Sequence, residues 1–184
     1  MTKRSTVSSA LTSAALAATM LFPAFAAHAA DPPQPGATAP NFTLPSQEDK
    51  PISLSQFKGK WVVLYFYPKD ETQGCTIEAH NFQHDQSKYE ASNAVVLGVS
   101  LDTVANHKAW CAKDTFSFKM LADPDHKVVD AYGVPVQTMN GESFAARQTF
   151  LISPAGKIVK QWTKVRPSDS STEVLAELAE AEKK

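Results

Sequence analysis

No charge of one sign dominates this chain: 18 basic residues face 19 acidic ones, for a formal net charge of -1. Without an electrostatic excess there is no footprint for nucleic acid or anionic lipid, and small neutral partners fit better. No apolar run reaches the roughly 20 residues that a bilayer crossing needs. The nearest, Ala10 to Phe22, is interrupted by Ser and Thr and ended by Pro23. No cysteine stands near the end of that stretch, so no lipid-anchored leader is expected. His80 and His84 lie one helical turn apart without the cysteine or carboxylate cluster of a metal site. No metal is therefore expected, and these two, with His107 and His126, are expected as solvated helix residues.

What the amino terminus does have is the pattern of an export signal. Lys3 and Arg4 come first, no charge follows until Asp31, and Ala27-His28-Ala29 offers small residues where a signal peptidase needs them. The expectation is a leader over residues 1–29, export to the bacterial periplasm, and a mature, mildly acidic, soluble chain. Residues 30–41, with Pro32, Pro33, Pro35, Gly36 and Pro40, suit a flexible lead-in. One domain over 42–184 follows.

Within it, Phe42–Leu44 and Ile52–Leu54 flank a polar turn and predict a short hairpin. The continuous apolar run Trp61–Tyr67 predicts a strand covered on both faces, and Ala94–Ser100 a second. Cys75, Ala79, Phe82, Gln86 and Tyr89 recur at helical spacing and predict one helix reaching about Ser92. Another opens at Asp102 or Thr103 and carries Val104, His107 and Cys111 on one face. A short strand near Met120, a helix at Val128–Tyr132, a loop from Gln137 to Phe144, strands Gln148–Ile152 and Ile158–Thr163, and a helix Thr172–Ala181 complete the order. Strand and helix alternate around one central sheet, an α/β class to which a thioredoxin-like domain conforms.

Cys75 stands where the strand Trp61–Tyr67 gives way to a helix, the end of the sheet at which open α/β folds place their sites. Free N–H groups and the helix dipole favour a thiolate there. Glu71 and Glu78 oppose it, so a cation should be close, and Arg147 is the candidate. Thr72 fills the place of the first cysteine in a C-x-x-C motif. A thiol-disulfide exchanger needs two sulfurs within one turn, whereas a peroxide reducer needs one thiolate plus groups that orient two oxygens. Thr72 suits the second chemistry.

Pro68, Thr72 and Cys75 match the P-x-x-x-T-x-x-C signature of peroxiredoxins, and Arg147-Gln148-Thr149-Phe150 is similar to their distal arginine segment. The stretches VVLYFYPKDETQGCT, AVVLGVS, AYGV and RQTFLISPAGKI resemble the bacterioferritin comigratory, or Q-type, subgroup along most of residues 36–180. The resemblance implies a thioredoxin fold with an N-terminal β-hairpin extension and a central mixed sheet flanked by helices. It also implies peroxidase activity on hydrogen peroxide and organic hydroperoxides with no cofactor. Cys75 would be the peroxidatic thiol, Thr72 the hydroxyl that orients peroxide, Arg147 the cation that favours the thiolate, and Pro68 a shield against solvent. Gln73 departs from the Pro common in the subgroup. His80 occupies the position where many members carry a resolving cysteine, which leaves Cys111 to close an intramolecular disulfide with Cys75, as in some Q-type members. A thioredoxin-like dithiol would then recycle a monomeric enzyme.

Two other readings stay open on the sequence. An exported pair of cysteines by default forms a lasting disulfide, which for this loop adds about 3–4 kcal/mol; the chain would then be a binding or structural domain. An envelope thiol-disulfide oxidoreductase is the other, disfavoured by Thr72.

Overall fold

The computed structural model describes Met1, Thr2 and residues 31–183, so the expected leader from Lys3 onward lies outside the described residues. The strand β3 (Trp61–Phe66) is apolar at every position and buried from Val62 onward, which places it at the centre of a five-stranded sheet. It pairs in parallel with β4 (Ala94–Ser100), which pairs in parallel with β5 (Lys119–Ala122). On its other side β3 runs antiparallel to β8 (Gln148–Ile152), and β8 to β9 (Ile158–Trp162). A separate hairpin, β1 (Thr43–Pro45) with β2 (Pro51–Ser53), precedes the sheet. This is the mixed sheet with an N-terminal hairpin that the resemblance implies.

Side chains alternate across a strand, and β3 divides the core accordingly. Val62, Leu64 and Phe66 join one apolar cluster, with α4 (Lys127–Ala131) and the N-terminal hairpin. Val63, Tyr65 and Tyr67 join the other, with α1 (Gln73–His84), α2 (Gln86–Ala91), α3 (Val104–Asp114) and α5 (Ser170–Ala181). Both sulfurs belong to this second cluster. Gly98 pairs with Tyr65 across β3 and β4, and a Cβ there would lie 2.8 Å from the tyrosine ring, so only glycine leaves the ring its place.

Four expectations need correction. The helix predicted to run from Cys75 to Ser92 is two, because Asp85 is buried at the junction and its carboxylate is captured by Lys88 Nζ at 2.8 Å and by Ser171 Oγ at 2.7 Å. The loop predicted over Gln137–Phe144 is mostly a hairpin, β6 (Val136–Met139) and β7 (Glu142–Ala145), turned by Asn140 and Gly141 at φ of 54° and 82°. Asn-Gly is the preferred pair for such a turn. The lead-in is tied down over its second half, where Gly36 N donates to Ile158 O at 2.8 Å and Ile158 N to Ala37 O at 2.9 Å. His107, finally, is fully buried.

Candidate active site

The residues after β3 make a tight turn in which Glu71 takes a left-handed φ of 60°, bringing the chain into α1 at Thr72. Thr72 is the N-cap by position, with extended backbone, but its hydroxyl donates to Lys69 O at 3.0 Å instead of capping the helix. The first helical bond runs from Thr76 N to Thr72 O. Cys75 therefore sits in the turn whose own N–H groups have no intrahelical acceptor, at the positive end of the helix dipole.

The antiparallel register of β3 and β8 pairs Phe66 with Gln148, and so sets Arg147 opposite the start of the loop that leads to Cys75. Its Nη2 donates to Cys75 Sγ at 3.3 Å, and its Nη1 donates to Glu78 Oε2. Glu78, expected only to oppose a thiolate, is the residue that orients the guanidinium. Its carboxyl is fully buried, and burial pushes it up to about 7 against the downward pull of Arg147 and Ser170. Burial alone would depress Arg147, but Glu78 and Cys75 reverse that and raise it, so it stays charged. Fork geometry lets one guanidinium serve a carboxylate and a sulfur at once, which lysine could not do.

Cys75 itself is only 1% exposed. It lies beneath the first turn of α1, with Gly74 packed near Arg147 Nη2 and Pro167. Pro68 is half-buried in a groove shared with Lys69, Asp102 and Phe144.

Cys111 is also buried, on α3, and burial, assisted by Asp70, pushes its thiol up to about 12. Both thiols are free. The structure thus brings Cys75, Thr72 and Arg147 together and leaves Cys111 in the same apolar cluster on the neighbouring helix. A buried polar group went unnoticed in the sequence. His107 Nδ1 lies 2.7 Å from Asp70 Oδ2, and Tyr67 Oη donates to Asp70 Oδ1 at 2.8 Å. Neither spacing nor composition announces it, since Asp70 and His107 are brought together by the parallel β3–β4 crossover. Among the described residues no three His, Cys, Asp or Glu side chains converge as a metal site would require.

The pattern of the AhpC/TSA family matches residues 35–161. The chain belongs to that family. Relatives carry peroxiredoxin names: Peroxiredoxin Bcp of Bacillus subtilis is 37% identical over 152 residues, covering 81% of this chain and 97% of that one. The chloroplastic Peroxiredoxin Q of Triticum aestivum is 44% identical over 123 residues, or 67% of this chain and 56% of its own. Among solved structures, a cysteine-to-serine variant of PrxQ from Xylella fastidiosa superposes with a TM-score of 0.77 at 34% identity, over 83% of this chain and 99% of that one. Pro68, Thr72, Cys75 and Arg147, the four residues of the expected signature, all lie within the matched span.

Proposed function

We propose that the protein is a thiol peroxidase in which Cys75 reduces a hydroperoxide and Cys111 resolves the product. The Cys75 thiolate attacks the terminal peroxide oxygen and the O–O bond breaks. The departing hydroxide or alkoxide takes up the proton that the thiol gave up on ionising and leaves as water or an alcohol, and Cys75 is left as a sulfenic acid. The Cys111 thiol then displaces hydroxide from that sulfur, which departs as water, and a Cys75–Cys111 disulfide remains. An exported, thioredoxin-like dithiol reduces it by exchange. The reading places a monomeric enzyme in the periplasm, supported by the leader-like first 29 residues.

The observation that carries it is the hydrogen bond from the Arg147 guanidinium to a sulfur at a helix start. Such a donor favours the thiolate and can also grip a peroxide oxygen as charge develops. Thr72 supports the same chemistry, because a hydroxyl whose proton is held by Lys69 O keeps oxygen lone pairs for the proton of a hydroperoxide. A related protein, the Bacterioferritin Comigratory Protein of Xanthomonas campestris, is described by its alkyl peroxide reduction activity, and organic hydroperoxides are proposed here beside hydrogen peroxide. Two buried thiols in one apolar cluster, carried by separate helices, suit a pair that joins when one of them moves.

The test is to mix reduced Cys111→Ser with one equivalent of hydrogen peroxide and probe Cys75 with a sulfenic-acid reagent. Accumulation of a trapped sulfenic acid on Cys75, absent in wild type because the disulfide has formed, is the expected result. Unmodified Cys75 in the variant would remove the proposal.

A further inference from the structure

The resolving thiol faces a chemical difficulty that the peroxidatic one does not. Displacing hydroxide from a sulfenic acid calls for a thiolate, and Cys111 is held as a thiol by its burial. Among the described residues no cation or hydrogen-bond donor is bonded to its sulfur. One helical turn earlier, on the same buried face of α3, stands His107. Residues four apart on a helix are neighbours, and a helical side chain leans over the turn preceding it, so the Cys111 thiol leans toward the turn that carries His107.

The surroundings of His107 define its tautomer. From the loop after β3, Asp70 offers a carboxylate whose Oδ1 accepts from Tyr67 Oη at 2.8 Å and whose Oδ2 meets His107 Nδ1 at 2.7 Å. An ionised carboxylate only accepts, so Nδ1 carries its proton toward Asp70 and the exchangeable site is Nε2. Nε2 is buried and has no hydrogen-bond partner. Of the other groups near the dyad, Tyr67 on the end of β3 packs its ring against the imidazole and donates also to Met120 Sδ at 3.5 Å, Asp102 after β4 accepts from Asp70 N at 3.0 Å, and Cys111 stands one helical turn on from His107. Asp102 is in turn held by Ser100 Oγ at 2.7 Å, so the carboxylate platform under His107 is fixed at both ends.

We propose that Asp70 and His107 form a buried dyad that serves the resolving step: Asp70 holds the imidazole as the tautomer with Nε2 free, and Nε2 takes the proton of Cys111 as its sulfur attacks Cys75. The inference rests on the reading of Cys111 as the resolving thiol. The step balances within the protein. The S–H bond of Cys111 breaks, its electron pair forms the S–S bond, the Cys75 S–O bond breaks, and the departing hydroxide recovers the proton from Nε2 as water. The arrangement has the order nucleophile, base, orienting carboxylate of an activated nucleophile. The Asp70–His107 bond has a second consequence, because it fastens the root of the Cys75 loop to the helix that carries Cys111. When α1 unwinds, Cys75 travels on a tether of at most about 17 Å anchored near its target.

The experiment follows the sulfenic acid, once formed, as it disappears into the disulfide, so it is scored separately from the rate of Cys75 oxidation. In wild type the resolution rate should rise with pH. In His107→Asn, whose side-chain amide still donates to Asp70 but takes no proton, resolution at neutral pH should slow by about 10²-fold and that limb of the profile should vanish, leaving a rate that climbs with hydroxide. His107→Asn resolving at the wild-type rate with an unaltered profile would overturn the inference. Asp70→Asn is the second variant, expected to slow resolution because an amide can hold either tautomer; wild-type resolution in both variants would likewise overturn it. If Cys111→Ser loses its sulfenic acid as fast as wild type, the underlying reading of Cys111 fails instead.

Discussion

At the scale of single residues, the site turns on how Arg147 divides its two donors between Glu78 and Cys75. Arg147→Ala leaves Glu78 buried without a cation, which by itself destabilises a fold by about 3–5 kcal/mol, so the cleaner host is Glu78→Gln. In that background, Arg147→Ala should lower kcat/KM for hydrogen peroxide by about 10²- to 10³-fold in stopped-flow assays, the effect of losing a preorganised donor. Arg147→Lys should recover little of it, since a point charge does not reproduce the fork. Glu78 carries a pH signature of its own. Its carboxyl is raised in the folded state from 4.5 to about 7 by burial, so the unfolded chain gives up its proton first as pH rises. The contribution to stability is complete below about pH 4.5 and is lost as pH rises through 7. Urea denaturation across that window should show stability falling with pH in wild type and a flatter profile in Glu78→Gln. The sequence shows why Arg147 is needed, from a thiol at a helix start with acids beside it, but not that one of those acids is the clamp. That depends on Glu78 lying one turn from Cys75 on the inner face of α1.

At the scale of elements, the first turn of α1 is the part that has to move. It covers Cys75, and its sulfur and that of Cys111 stand on different helices. The stiff partners are β3, sealed on both faces, and α3, capped by Thr103 Oγ1 accepting from Asn106 N at 3.3 Å. Oxidised protein should accordingly lose amide protection over residues 72–80 while β3 and β4 keep theirs, as read by hydrogen exchange. Unchanged protection in the oxidised form would mean that the disulfide closes without unwinding. Elements with strong patterns were legible: the two buried parallel strands, the capped α3 and the closing helix α5 all stand where their residues place them. The break at Asp85 was not, because its cause is a bond to Ser171, far along the chain, and helical periodicity continues unbroken through it. The hairpin β6–β7 is legible in Asn140-Gly141, the residue pair that its turn favours.

At the scale of the whole molecule, alternating strands and helices and two fully apolar runs led to the mixed sheet, and the motif around Cys75 led to the family. The buried dyad at Asp70 and His107 was hidden, because a histidine on a helix face reads as solvated until the fold shows which face is inside. The same topology accounts for the economy of the site, since β3 and β4 end and β8 begins in one place and deliver Cys75, the Asp70–Asp102 platform and Arg147 to it. The most direct measurement of the central claim is a titration of the fully reduced chain with hydrogen peroxide, counting free thiols, alongside Cys75→Ser. Two thiols should disappear rapidly per peroxide in wild type, and Cys75→Ser should keep its remaining thiol at the rate of an unactivated one. Rapid peroxide consumption by Cys75→Ser, or a wild type that loses no thiols, would contradict it.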